Sequence, residues 1–143
     1  MADSRFIPEG GRDPAWVLQR EKHLLLKHYD FVNVQISGRT LQCTGRCQPS
    51  ALSIGYTYRI KYTVDRAPVV HALNPVLAYD EHIHMYKEDN SLCLYYPADY
   101  SWRSDSSLYN TIVPWTHEWF LYYELYRLFG KWLYPAALHG RPT

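Results

Sequence analysis

Between residues 56 and 64 the chain alternates without a break. Tyr56, Tyr58, Ile60, Tyr62 and Val64 fall on one side; Thr57, Arg59, Lys61 and Thr63 fall on the other. A period of two sustained this long fits a β-strand with one face buried and the other wet. Such a strand needs neighbours for its backbone groups and a second layer over its aromatic face. The neighbours are legible. Residues 31–37 alternate with Val32, Val34 and Ile36 on one face, Gly38 turns the chain, and residues 40–47 return. Residues 49–55 connect to Tyr56; after a turn at residues 65–68, residues 69–73 make a short fourth strand ended by Asn74-Pro75. Consecutive strands joined by short turns predict an antiparallel meander.

The covering layer is helical. Asp13-Pro14 supplies an N-cap and a first-turn proline, and residues 15–29 continue with Val17, Leu18, Leu24 and Leu25 as a buried stripe. Arg20, Lys22 and Lys27 lie outside it. Near the other end, residues 108–113 form a first turn and Thr116 caps a helix running to Phe129, with Gly130 as its stop. Trp115, Trp119, Tyr122, Tyr123, Tyr126 and Phe129 recur at helical spacing and read as core. The expectation is an α+β fold. Residues 1–12, with Pro8, Gly10 and Gly11, form a flexible arm, and residues 13–143 form one domain.

Several function classes are disfavoured at once. The formal charge is +1 and the pI about 7.8, so there is no electrostatic footprint for nucleic acid or an anionic membrane. No stretch is apolar and long enough to span a bilayer. Three cysteines are too few and too odd for a disulfide framework, and Met1-Ala2-Asp3-Ser4-Arg5 does not open a signal peptide. A reducing, cytoplasmic setting is expected. The 14 tyrosines and 5 tryptophans suit both a small core and a docking surface.

Residues 75–105 are irregular in pattern yet rich in apolar side chains, and long irregular segments in small domains are usually functional. Within this segment Cys93 sits between Leu92 and Leu94, after His82 and His84 and before Trp102. A thiol on an ordered apolar segment beside imidazoles suits a covalent acyl carrier, because sulfur is both nucleophile and leaving group. A buried core cysteine is the competing reading. His84 is favoured over His82 as the assisting base, by proximity; in an extended segment both would share a face. Tyr95, Tyr96, Trp102 and Asp99 are expected to anchor or line this segment. Cys43 and Cys47 share a strand face with Leu41 and read as core; without a Cys-x-x-Cys pair, neither a metal nor another cofactor is expected.

One helix, a four-strand meander, an extended segment carrying a cysteine, then helices: this order resembles the ubiquitin-conjugating E2 fold. The Leu92-Cys93-Leu94 triplet, the preceding histidines, Trp102, and Pro68 and Pro75 carry the likeness. It is closer to the divergent bacterial E2-like proteins of CBASS anti-phage operons. Leu92-Cys93-Leu94-Tyr95-Tyr96-Pro97, Ile112-Val113-Pro114-Trp115-Thr116-His117-Glu118-Trp119, Tyr122-Tyr123-Glu124, Gly130-Lys131-Trp132 and His139 resemble their pattern. The resemblance implies that Cys93 forms a thioester with the C-terminus of a protein partner. That partner would be a CD-NTase (the nucleotide second-messenger synthase of the operon) or, alternatively, a ubiquitin-like protein. An activating enzyme would be separate, since no such domain fits this length. One departure stands out: the E2 His-Pro-Asn motif is missing, and Met85-Tyr86 follows His84. In E2 enzymes that Asn supports the oxyanion or the local loop; here His84 or backbone N–H groups remain as donors. A non-catalytic E2-like binding module is the other reading.

Overall fold

The computed structural model describes residues 13–95, 100–103 and 105–133. Helix α1 spans Pro14–His28. Asp13 caps it by accepting the Ala15 N–H at 2.9 Å, and Pro14 occupies the first turn, where no N–H is needed. The strands are β1 (Val32–Ser37), β2 (Thr40–Cys47), β3 (Tyr56–Thr63) and β4 (Val69–Asn74), antiparallel in the order β1-β2-β3-β4. Helix α2 spans Ile112–Phe129. The described residues thus form an α+β fold with two helices and a four-strand meander.

The alternation of β3 translates directly into burial: Tyr56, Tyr58, Ile60 and Tyr62 face the core, and Val64 just beyond the strand joins them. Leu41, Cys43, Gly45 and Cys47 of β2 share that side. Gly45 is there for space. A Cβ at this position would lie 2.4 Å from the Tyr58 ring, so the absent side chain is what seats the ring across the strand pair. β1 is shallower, with only Val34 buried.

Three expectations change. Leu24 is only half-buried; Glu21 takes the place in the α1 stripe, fully buried beside Val17, Leu18 and Leu25. Its carboxylate accepts the Leu108 N–H at 2.7 Å and the Ser107 hydroxyl at 3.2 Å and pairs with Arg20 at 2.8 Å, fastening α1 to the loop before α2. A buried carboxylate with several donors is tolerated where an unpaired one is not. Second, α2 begins at Ile112, not at Thr116. Burial of Ile112 and Val113 draws the first turn onto the core, and Pro114 costs nothing there because first-turn N–H groups have no helical partner. Thr116 lies inside the helix, its hydroxyl returned to the Ile112 carbonyl at 2.7 Å. The described C-terminal region therefore holds one helix, stopped by Gly130 in the left-handed region at φ 76°. Third, the aromatic stripe of α2 is only partly core: Trp119 is fully buried, whereas Phe129 is mostly exposed.

Helix α2 meets the sheet through aromatic rings. Phe120 stacks on Tyr56 at 4.6 Å between centroids, and within α2 Trp119 stacks on Tyr123 at 5.5 Å. Tyr56 donates its hydroxyl to the Glu124 carboxylate, and the Tyr58 hydroxyl lies 2.8 Å from His117 Nε2. Burial lowers the His117 pKa, which favours the neutral imidazole.

Candidate functional site

The chain that carries Cys93 is folded into a tight hairpin. Cys93 donates its amide to the His84 carbonyl at 3.0 Å, Tyr86 donates to Ser91 at 2.8 Å, and Met85 pairs with Leu92 between them. The turn is built by its own residues. Asn90 adopts φ 62°, a conformation its short amide tolerates, and Asp89 accepts the Ser91 N–H at 2.9 Å. Asn90 also accepts the Tyr79 N–H at 2.9 Å. Leu92 donates to the Val70 carbonyl at 2.8 Å, hanging the hairpin from β4.

Register then decides which side chains meet. Met85 and Leu92 are opposed and buried in the core. Residues one step along point the other way, so His84 lies opposite Cys93, and Tyr86 opposite Ser91, on the same face. His84 is half-buried, its ring stacked on Trp132 at 5.1 Å. Its carbonyl also accepts the Trp119 indole N–H at 2.7 Å, which bolts the hairpin to α2.

Cys93 is 9% exposed. Its neighbours Leu92 and Leu94 belong to the continuous apolar core, and Cys93 stands outside that cluster. The thiol donates to the Tyr95 carbonyl at 3.5 Å, and the Tyr86 hydroxyl donates to the same oxygen at 3.4 Å. Cys43 and Cys47 are different: both lie in the β2 core, and burial pushes each thiol up to about 12. Such thiols are inert at neutral pH.

His82 does not share an extended strand with His84, because residues 80–83 turn. The Ile83 N–H bonds the Asp80 carbonyl at 3.1 Å, and Asp80 accepts both the His82 N–H at 2.8 Å and its ring nitrogen at 3.0 Å. These bonds from His82 hold the Asp80 carboxyl below its usual range. The His82 side chain is 71% exposed. Trp102 sets its ring edge-on to Tyr62 at 5.5 Å, and Tyr95 joins Tyr100 and Trp115 in a three-ring cluster with contacts at 5.2 and 5.6 Å. Tyr96, Asp99 and His139 lie outside the described residues. A cavity of about 770 Å³ opens beside the hairpin, with Tyr86, Leu92, Leu94, Tyr95 and Trp102 among its walls.

Among the described residues no three His, Cys, Asp or Glu side chains gather closely enough to hold a metal ion. No helix among them is long and apolar enough to cross a membrane. The sequence profile of the type II CBASS E2 proteins matches residues 21–140, most of the chain. The chain belongs to that family. Among curated proteins, none matches it. In this type II CBASS E2 protein the hairpin holds the one cysteine of the three that stands outside the apolar core cluster.

Sequence reasoning passed over Tyr86, Trp119 and Glu21 as determinants of this region. Tyr86 was detectable: it continues the two-residue spacing of His82 and His84. Trp119 and Glu21 act through contacts distant in sequence, and no local pattern marks them.

Proposed function

We propose that this type II CBASS E2 protein is a cysteine acyltransferase. In this reading Cys93 accepts the C-terminal acyl group of a protein partner, the CD-NTase of the operon, and then passes it to an amine or a second thiol. The observation that carries the reading is the register of the hairpin, which opposes His84 to Cys93 on the face turned from Met85 and Leu92.

The chemistry asks little beyond position. The Cys93 thiolate attacks the activated acyl carbon, the carbonyl electron pair moves to oxygen, and collapse expels the thiol of a separate activating enzyme. One thioester replaces another of similar energy, so orientation matters more than strong acid or base. In the second step an amine attacks the Cys93 thioester and the sulfur leaves with the electron pair. His84 is assigned the proton of the attacking group. His82, oriented by Asp80, is the second candidate for that proton. Tyr95 and Trp102 fix the chain beyond the cysteine through their ring contacts.

The test is to incubate the protein with the CD-NTase, the activating enzyme and ATP, and to resolve products without reductant. A thiol-sensitive adduct in the wild type that is missing in Cys93→Ala supports the assignment; the same adduct in Cys93→Ala overturns it. Replacing the CD-NTase by a bacterial ubiquitin-like protein tests the alternative cargo. The 9% exposure of Cys93 favours a second reading, a binding module without catalysis. A thiol that resists iodoacetamide in the native protein would support that module.

A further inference from the structure

Tyr86 has no part in the reading above, yet its hydroxyl and the Cys93 thiol converge on one oxygen, the Tyr95 carbonyl, at 3.4 and 3.5 Å. The phenol therefore runs along the hairpin face past its diagonal neighbour Cys93. Tyr86 is 37% exposed as a residue and Cys93 9%, so the tyrosine is the more open of the two groups that meet at this carbonyl. A hydroxyl donor turns about a single C–O bond, and a contact of 3.4 Å is long enough to be surrendered readily. Any acyl group on Cys93 Sγ must develop negative charge on its carbonyl oxygen within a few ångströms of the sulfur. A pre-placed neutral donor is what such a charge requires. The His84 carbonyl cannot serve, being an acceptor already bonded to Cys93 and Trp119.

We propose that Tyr86 is a catalytic residue of the acyl transfer, donating its phenolic hydrogen bond to the oxyanion that forms on the acyl carbon at Cys93. This rests on Cys93 being the acyl carrier. As Sγ bonds to the carbonyl carbon, the π pair moves onto oxygen and the Tyr86 O–H swings from the Tyr95 carbonyl to that oxygen. The proton stays on the phenol. On collapse the pair returns, the donor thiolate departs, and the hydroxyl goes back to Tyr95.

A small acyl donor makes the test independent of the cargo. The probe is the mercaptoethanesulfonate thioester of N-acetylglycine, with acylation of the whole protein followed by intact mass and alkylation by iodoacetamide followed in parallel. Alkylation attacks the same sulfur and creates no oxyanion. Tyr86→Phe is expected to slow acylation by about 10- to 100-fold, somewhat less than the loss of a fully aligned oxyanion-hole donor, while alkylation stays within about twofold of wild type. Equal slowing of both reactions, or unchanged acylation, overturns the proposal. Should Tyr86→Phe fail to fold, O-methyltyrosine at position 86 keeps the ring and oxygen and removes only the donor. It must show the same selective loss, and wild-type acylation in that protein overturns the proposal. Failure of the underlying reading looks different: the wild type and Cys93→Ala would then acylate alike.

Discussion

Trp119 donates its indole N–H to the carbonyl oxygen of His84 at 2.7 Å, the same oxygen that accepts the Cys93 amide at 3.0 Å. One atom thus joins the buried face of α2 to both arms of the cysteine hairpin. Trp119→Phe removes the donor and part of a fully buried ring. The expected cost is about 2–4 kcal/mol, combining a lost hydrogen bond with a cavity. Urea unfolding measures it. Because the bond restrains the hairpin, iodoacetamide should also modify Cys93 faster in the folded variant than in the wild type.

Glu21 is the second fastening. Glu21→Gln puts an amide where two oxygens accept from Leu108, Ser107 and Arg20. At least one donor then faces another donor at a largely buried site, at an expected cost of about 2–4 kcal/mol. The urea midpoint should fall accordingly, whereas Glu81→Gln, at an exposed position, should leave it within about 0.5 kcal/mol.

Gly45→Ala drives a methyl group into the Tyr58 ring. Both residues lie in paired strands, so neither backbone can retreat. Overpacking of this kind costs about 1–3 kcal/mol, read as a lower melting temperature with unchanged far-ultraviolet circular dichroism.

His117 gives stability a pH dependence of predictable sign. Burial lowers its folded pKa below the ordinary value of 6.5, so below about that pH the unfolded chain binds the proton the folded one refuses. The His117 contribution is complete above the unfolded value and is lost as pH falls through 6.5 toward the folded pKa. Urea midpoints measured from about pH 8 downward should decline below about 6.5. In His117→Gln that portion of the decline should vanish.

Much of the fold was readable because its signals are local. The alternation at Tyr56, Tyr58, Ile60 and Tyr62 is the pleat itself, and Asp13-Pro14 and Gly130 mark helix ends by backbone chemistry that depends on few neighbours. Thr116 misled because a hydroxyl suits an N-cap and a helix interior alike; burial of Ile112 and Val113 decided between them. The hairpin was the hardest to see. Its turn rests on Asp89 and Asn90 side chains bonding nearby backbone, and its orientation rests on Val70 and Trp119, both far away in sequence. Cys93 was legible as a residue type in an apolar triplet, whereas its pairing with His84 followed only from the register.

The most direct measurement maps the proposed covalent bond. Cys93→Ser exchanges the sulfur for an oxygen that can hold the same acyl group as an ester. Peptide mass analysis after incubation with the CD-NTase and its activating enzyme should find the wild-type adduct on Cys93, released by thiols. In the serine variant it should lie at position 93, survive thiols and yield to hydroxide. An adduct mapped elsewhere, or one in the serine variant still released by thiols, would contradict the account.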